Sequence, residues 1–309
     1  MGRPAESVQL RELAAAIKKG DRVALAKGIT MAENSPSEGG HLLSLVGPPG
    51  RSFVVGVTGP PGTGKSTLVD RLIGAYRKKG LKVGVIAVDP TSPITGGALL
   101  GDRIRMTEHA DDHGVFIRSM ASRGWSGGLS RATTQVIRLM DAAGFDLILL
   151  ETVGIGQSDI EVVGVSHAVI VVLMPGLGDD IQVSKAGLME VGDIYVVNKS
   201  DVEGADLMVV SLLSLFRGGP RSPPVLKVSA LSGEGVEVLQ GAMEKIRSGF
   251  AVGSPELRLR SIRGMIVETA RGAAMEKLAA SSQTRAAELA KLVLAGKTTV
   301  EAAASKLAG

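Results

Sequence analysis

The run Gly59-Pro60-Pro61-Gly62-Thr63-Gly64-Lys65-Ser66-Thr67 has the residue types and spacing of a cradle for polyphosphate. Glycine at 62 and 64 lets successive backbone amides curl around an anion without obstruction by Cβ atoms. Lys65 brings a point charge to the β- and γ-phosphates, and the Ser66 hydroxyl is an oxygen ligand suited to Mg2+. Such a loop works only where a strand ends before it and a helix begins after it, because the helix N-terminus adds its positive dipole end. The β-branched run Phe53–Thr58 and the helical pattern Lys65–Lys79 supply these flanks.

Three further groups fall at the C-terminal ends of apolar runs, where ligands bind in parallel α/β sheets. Asn198-Lys199-Ser200-Asp201 follows Ile194–Val197. The Asp201 carboxylate can accept from both donors on the N1–N2 edge of guanine, whereas adenine has an acceptor at N1 and would leave the carboxylate unpaired. Ser229-Ala230-Leu231 follows Val225–Val228 and can close the base pocket with backbone amides. Glu151 ends the run Asp146–Leu150 and opens Glu151-Thr152-Val153-Gly154, so its acid can aim at a Mg2+ shell while Gly154 approaches the γ-phosphate. Asp89, after Val83–Val88, and Asp102, in Gly101-Asp102-Arg103-Ile104-Arg105, complete a metal set of Ser66, Asp89, Asp102 and Glu151. Arg105, ahead of Arg103, is the candidate to neutralise charge on the transferring phosphoryl group, and the catalytic set is Lys65, Asp102, Arg105 and Glu151. His109 and His113 have metal-ligand spacing, but Glu108, Asp111 and Asp112 around them favour a solvated face. The Gly/Pro loop Met174–Asp180 lies on the ligand side after a strand and reads as a mobile segment or a plain turn.

The elements that must position these groups alternate. Strands are predicted at Phe53–Thr58, Val83–Val88, Val115–Arg118, Asp146–Leu150, Ala168–Leu173, Ile194–Val197 and Val225–Val228. Helices are predicted at Lys65–Lys79, Arg131–Ala143, Gln182–Val191 and Val236–Ser248. Uninterrupted apolar strands separated by helices predict an α/β fold of the P-loop NTPase type, a mostly parallel sheet flanked by helices. The apolar stretch from Val162 to Leu177 reads as a buried strand running into a loop. Ahead of the sheet, apolar residues at helical spacing stop at Gly20, and Asp21 can cap a second helix, giving an N-terminal helical hairpin. The Ser/Pro/Gly-rich stretch from Asn34 to Gly50 reads as linker. From Ser254 onward only helical patterns remain, with Ile262, Met265, Ile266, Thr269 and Ala273 on one stripe that needs a partner surface. The division that follows is an N-terminal extension and linker (1–50), a nucleotide domain (51–250) and a C-terminal helical extension (251–309).

Composition narrows the function. The 309 residues are 44% hydrophobic and 21% charged, which is globular. Aromatics make up 3%, too few for a base-stacking single-strand binder, and the net charge of +4 is not gathered into blocks, so no nucleic-acid role is expected. Cysteine is absent, which removes disulfides, zinc–thiolate sites and cysteine nucleophiles. No apolar run suits a signal peptide or a membrane span, so a cytoplasmic protein with no membrane role is expected.

Taken together, these residues resemble the methylmalonyl-CoA mutase-associated GTPases of the MeaB/ArgK type, a branch of the P-loop GTPases that includes signal-recognition and metallocentre-assembly members. The likeness runs through nearly the whole chain. It includes Gly20-Asp21 with Ala24-Leu25-Ala26, Gly59–Thr67, and Val88-Asp89-Pro90-Thr91-Ser92. It continues through Gly96-Gly97, Leu100–Arg103, Glu151–Gly154 with Gly156-Gln157-Ser158, Pro175–Gln182 and Asn198–Asp201. The segments Val88–Asp102 and Glu151–Ser158 are specific to this family; the nucleotide motifs are shared by many GTPases. The resemblance implies a homodimeric GTP hydrolase using GTP/GDP and Mg2+, with the helical tail forming the dimer contact. It implies a chaperone of an adenosylcobalamin-dependent acyl-CoA mutase that gates cofactor loading and protects or reactivates the enzyme. The alternatives are a metallocentre-assembly GTPase, against which the lack of Cys and of His-rich tracts counts, and an arginine/ornithine transport-linked kinase. Ras-type GTPases place a water-orienting Gln directly after the switch glycine. Ile155 holds that position here and Gln157 is displaced, so slow unaided hydrolysis is expected.

Overall fold

The computed structural model describes residues 4–89, 109, 111–121, 131–152, 154, 158–176, 188–219, 221–251 and 255–308. Its centre is a parallel seven-stranded sheet of β1 (Phe53–Thr58), β2 (Val83–Asp89), β3 (Val115–Ala121), β4 (Leu147–Glu151), β5 (Ala168–Leu173), β6 (Ile194–Val197) and β7 (Val225–Lys227). The spatial order is β3-β2-β4-β1-β5-β6-β7. Strands β1, β4, β5 and β6 are buried along their whole length, which is why they read as unbroken apolar runs rather than alternating ones. The period of two still sorts their side chains. Phe53, Val55 and Val57 enter one core and Val54 the other; Ile170 and Val172 go with the first, Val171 and Leu173 with the second.

Helices cover both faces. The first core is roofed by α4 (Lys65–Arg77) and by α9 (Val236–Ala251), which contribute Leu68, Leu72, Tyr76, Leu239 and Met243. The second is roofed by α5 (Arg131–Ala142), α6 (Ser158–Val165), the short α7 (Leu188–Val191) and α8 (Ala205–Phe216), together with the N-terminal helices.

The N-terminal hairpin forms as expected. α1 (Pro4–Lys18) ends at Gly20, and Asp21 caps α2 (Arg22–Asn34) by accepting from the Ala24 amide at 2.8 Å. The stretch after it is not a linker. Residues Pro36–Val46 form α3, with Pro36 in the first turn, where a missing N–H costs nothing. Leu42 and Val46 are buried beneath it, and Gln135 of α5 donates to the Pro36 carbonyl at 2.9 Å. The start of the apolar stretch from Val162 also differs from expectation, since Val162 and Val165 close α6 and the strand begins only at Ala168. Of the predicted helix Gln182–Val191, the described part is α7.

The tail is one long helix, α10 (Pro255–Leu294), followed by α11 (Val300–Ala308). α10 crosses α6 where Gly264 meets Gly164, so closely that a Cβ on Gly264 would stand 1.6 Å from the Gly164 carbonyl oxygen. Met265 packs against the second core, while Ile266, on the predicted stripe, is 63% exposed. Among the described residues no helix is long and apolar enough to cross a membrane.

Candidate functional site

Strand register brings the predicted groups together. β1 pairs with β4 so that Val57 stands opposite Glu151, and β1 ends at Thr58, where the phosphate loop starts. The loop is closed by the Thr63 hydroxyl donating to the Pro60 carbonyl at 2.9 Å. The Lys65 ammonium folds back into it, donating to the carbonyls of Gly59 (2.8 Å) and Pro60 (3.0 Å). Lys65 is 6% exposed, so this charge is held inside the cradle rather than spread over the surface. At the first turn of α4 the Ser66 hydroxyl donates to Glu151 Oε1 at 2.6 Å.

That pair fits a Mg2+ site. It sets a hydroxyl and a carboxylate, both hard oxygen donors, side by side at the mouth of a phosphate cradle, and Mg2+ typically takes one or two such protein ligands and leaves the rest to phosphate and water. Ser66 and Glu151 would hold the ion, which when bound supplies charge neutralisation for phosphate oxygens. β2 lies beside β4 with Ala87 opposite Glu151, so the backbone of Asp89 ends on the same side of the sheet. Asp102, Arg103, Arg105, Ile155 and Gln157 lie outside the described residues. His109 is not on a solvated face as expected: its Nε2 lies 3.3 Å from Asp70 Oδ1 on α4, and its side chain is 17% exposed. Among the described residues no group of three or more His, Asp or Glu side chains gathers as a metal centre.

Gly154 touches the cradle directly. Its φ is +82°, and a Cβ there would stand 2.0 Å from the Gly59 carbonyl oxygen and 2.8 Å from Lys65 Nζ. Only glycine lets the segment after β4 lie on the phosphate loop. The contact is steadied by a pair that no sequence motif announces: the hydroxyls of Thr152 and Thr58 are 3.0 Å apart, and the Thr152 amide donates to the Val57 carbonyl at 3.1 Å. Two threonines far apart in the chain become neighbours only through the β1/β4 register.

Asn198 bridges two loops at the ends of the strands. Its side-chain amide donates to the Thr63 carbonyl at 2.7 Å, while its Oδ1 accepts from the Ala230 amide at 3.0 Å. One buried side chain therefore fastens the phosphate loop to the Ser229–Leu231 loop. Lys199 adopts a left-handed conformation (φ 57°), and the Ser200 amide then donates to the Val228 carbonyl at 3.1 Å. A hydrogen bond from Ser229, then one from its own backbone amide, hold the Asp201 carboxyl below its ordinary value. Ser229 is thus a hydrogen-bond partner of the acid. Asp201 stays an ionised acceptor across the neutral range, the form that guanine's two donors require.

The family model for methylmalonyl Co-A mutase-associated GTPase MeaB matches residues 25–283. The chain belongs to this family. Among MeaB relatives, a protein of Pyrococcus horikoshii named as a GTPase is 52% identical over 244 residues, 76% of each chain. The GTPase ArgK of Escherichia coli is 37% identical over 260 residues, covering 80% of this chain and 78% of the relative. The mitochondrial methylmalonic aciduria type A homolog of Mus musculus is 35% identical over 256 residues, covering 74% of this chain and 61% of the relative. The crystal structure of an LAO/AO transport system kinase superposes with a TM-score of 0.73 at 26% identity, covering 99% of this chain and 98% of that one. The MeaB family and the P-loop GTPase fold imply GTP/GDP binding.

Proposed function

We propose that this MeaB-family protein is a cytoplasmic homodimer that binds GTP with Mg2+ and hydrolyses it to GDP and phosphate. The cycle serves an adenosylcobalamin-dependent methylmalonyl-CoA mutase by gating cofactor loading and by protecting or reactivating the enzyme. The observation that carries the GTPase part is the Ser66–Glu151 pair set beside the Lys65 ammonium within the glycine cradle. On binding, Lys65 exchanges the carbonyls of Gly59 and Pro60 for phosphoryl oxygens, a stronger charge-assisted contact. In hydrolysis a water oxygen bonds to the γ-phosphorus, one water proton passes to a phosphate oxygen, the bond from that phosphorus to the β–γ bridging oxygen breaks, and GDP leaves with inorganic phosphate as the other product.

The mutase part is supported by the family description and by the wiring of the site. Gly154 lies against Lys65, the chain runs from there into α6, and α6 touches α10 through Gly164 and Gly264. Gly154 at the cradle and α6 against the tail are thus close neighbours in the chain, which supports a link between nucleotide state and the tail. Leu259, Ile262, Ile266 and Val267 on α10 are exposed, an apolar surface that suits a second copy, with residues 251–309 as the dimerisation extension. The test is phosphate release from GTP with and without purified mutase, together with gel filtration of the mixture. The reading predicts co-elution and a rate that changes several-fold when mutase is present; separate elution and an unchanged rate contradict it.

A further inference from the structure

We propose that Arg71 is a positioning residue for the base pocket, tying the phosphate-binding helix to the guanine-side loop from outside. The inference rests on the guanine-nucleotide reading above and concerns a residue outside every nucleotide motif. Arg71 lies in the second turn of α4, the helix whose first residues are Lys65 and Ser66. Its Nε donates to the Ala230 carbonyl at 2.9 Å and its Nη2 to the Leu231 carbonyl at 2.7 Å. The Ala230 residue is thus gripped on both sides. Asn198 accepts from its amide within the protein, and Arg71 donates to its carbonyl from the surface.

The loop needs this second hold. Beyond Ala230 it turns outward: Leu231 is 78% exposed, and Ser232 and Glu234 are exposed as well. Asn198 fixes the loop at one amide, and the Ser229–Glu234 bridge ties the two ends of the loop to each other, but neither sets the orientation of the loop against the phosphate helix. A guanidinium is a rigid planar fork, and two of its donors on two successive carbonyls set the orientation of the loop as well as its distance. The helix carrying the fork is the one whose N-terminus forms the phosphate cradle. Base and phosphates are therefore held by one body, and the Ser229 that hydrogen-bonds Asp201 is held with them.

Loss of Arg71 loosens the base end and leaves Lys65, Ser66 and Glu151 in place. The freed Leu231 carbonyl belongs to an exposed residue and can be solvated, while the Ala230 carbonyl belongs to a buried one, so some loss of stability accompanies the change and is read separately by thermal unfolding. The experiment compares wild type, Arg71→Ala and Arg71→Lys for GDP affinity, GDP release rate, the KM and kcat of GTP hydrolysis, ATP affinity and thermal unfolding without nucleotide. Arg71→Ala is expected to weaken GDP about tenfold, the effect of one charge-assisted hydrogen bond lost from a partly exposed site. GDP release should quicken accordingly and KM should rise, with kcat and ATP affinity within about twofold of wild type. Arg71→Lys, which offers a point charge in place of a fork, should fall between the two.

A lowered melting temperature with unchanged GDP affinity would reduce Arg71 to a stabilising contact and overturn the proposal. An equal loss for ATP and GDP, or a fall in kcat alone, would overturn it too. Failure of the underlying reading looks different, because wild type itself would then show no preference for GDP over ATP.

Discussion

Replacing Asn198 by alanine removes the side chain that joins the two halves of the nucleotide site, and the cost follows from what is left behind. The Thr63 carbonyl loses a 2.7 Å donor and the Ala230 amide loses a 3.0 Å acceptor. Both residues are buried, Thr63 at 0% and Ala230 at 2% exposure. A buried polar group left unmatched costs about 1–3 kcal/mol, so two cost roughly 2–6 kcal/mol. A water entering between the two groups would bring the expected loss to about 2–4 kcal/mol. Urea unfolding without nucleotide should show that loss as a lower midpoint at unchanged slope. GDP affinity should fall by at least about tenfold, since part of the energy goes into re-forming the loop arrangement on binding. Asn198→Asp sharpens the test: it keeps an acceptor for Ala230 but sets a carboxylate against the Thr63 carbonyl, and should be no better than alanine. A stability loss below about 0.5 kcal/mol with GDP affinity unchanged would refute the claim that Asn198 couples the loops.

Three other outcomes are expected. Glu151→Gln keeps an acceptor for the Ser66 hydroxyl but removes the charge, so GTP binding should lose its Mg2+ dependence and hydrolysis should fall by about 10²-fold or more, read by phosphate release over a Mg2+ titration. Gly264→Ala places a methyl 1.6 Å from the Gly164 carbonyl oxygen, so α10 must shift off α6; we expect a loss of about 1–3 kcal/mol and faster hydrogen exchange in both helices. Asp112 is held below its ordinary 3.8 first by the Arg77 guanidinium, at 2.8 and 2.9 Å, and then by the Gly114 amide. Its depressed value means the pair stabilises the fold above about pH 4, with the contribution lost as pH falls through the folded-state value. Arg77→Ala should therefore lower stability at pH 7 and converge toward wild type in acid.

Much of this site was legible because its parts are chemical necessities at fixed spacing. Glycines around a phosphate, a lysine and a hydroxyl at a helix start, and an acid at the end of a buried strand all leave local marks in the sequence. The strands were legible for a related reason: residues buried on both faces must be apolar throughout, and Phe53–Thr58, Ala168–Leu173 and Ile194–Val197 are found at the predicted bounds. What escaped was either compositional disguise or register. α3 hides behind Ser, Pro and Gly, although Pro36 at its start is compatible with a helix and Leu42 and Val46 supply the buried positions. His109 sits among acids that signal solvent, yet Asp70, far away in the chain, draws it onto α4. The Thr58–Thr152 pair and the Arg71 fork join residues whose proximity is set by strand order alone. The tail stripe is apolar by spacing, but periodicity does not show that Gly264 meets Gly164 at the crossing with α6 and leaves Ile266 outside.

The most direct measurement is calorimetric titration of the purified protein with GTP, GDP and ATP, with and without Mg2+, repeated on Asp201→Asn with xanthosine triphosphate added to the series. The account predicts Mg2+-strengthened binding of GTP, tight GDP, little heat with ATP, and a shift of preference from GTP to xanthosine triphosphate in the variant. Equal binding of ATP and GTP by the wild-type protein, or a variant with the same preferences as wild type, would contradict it.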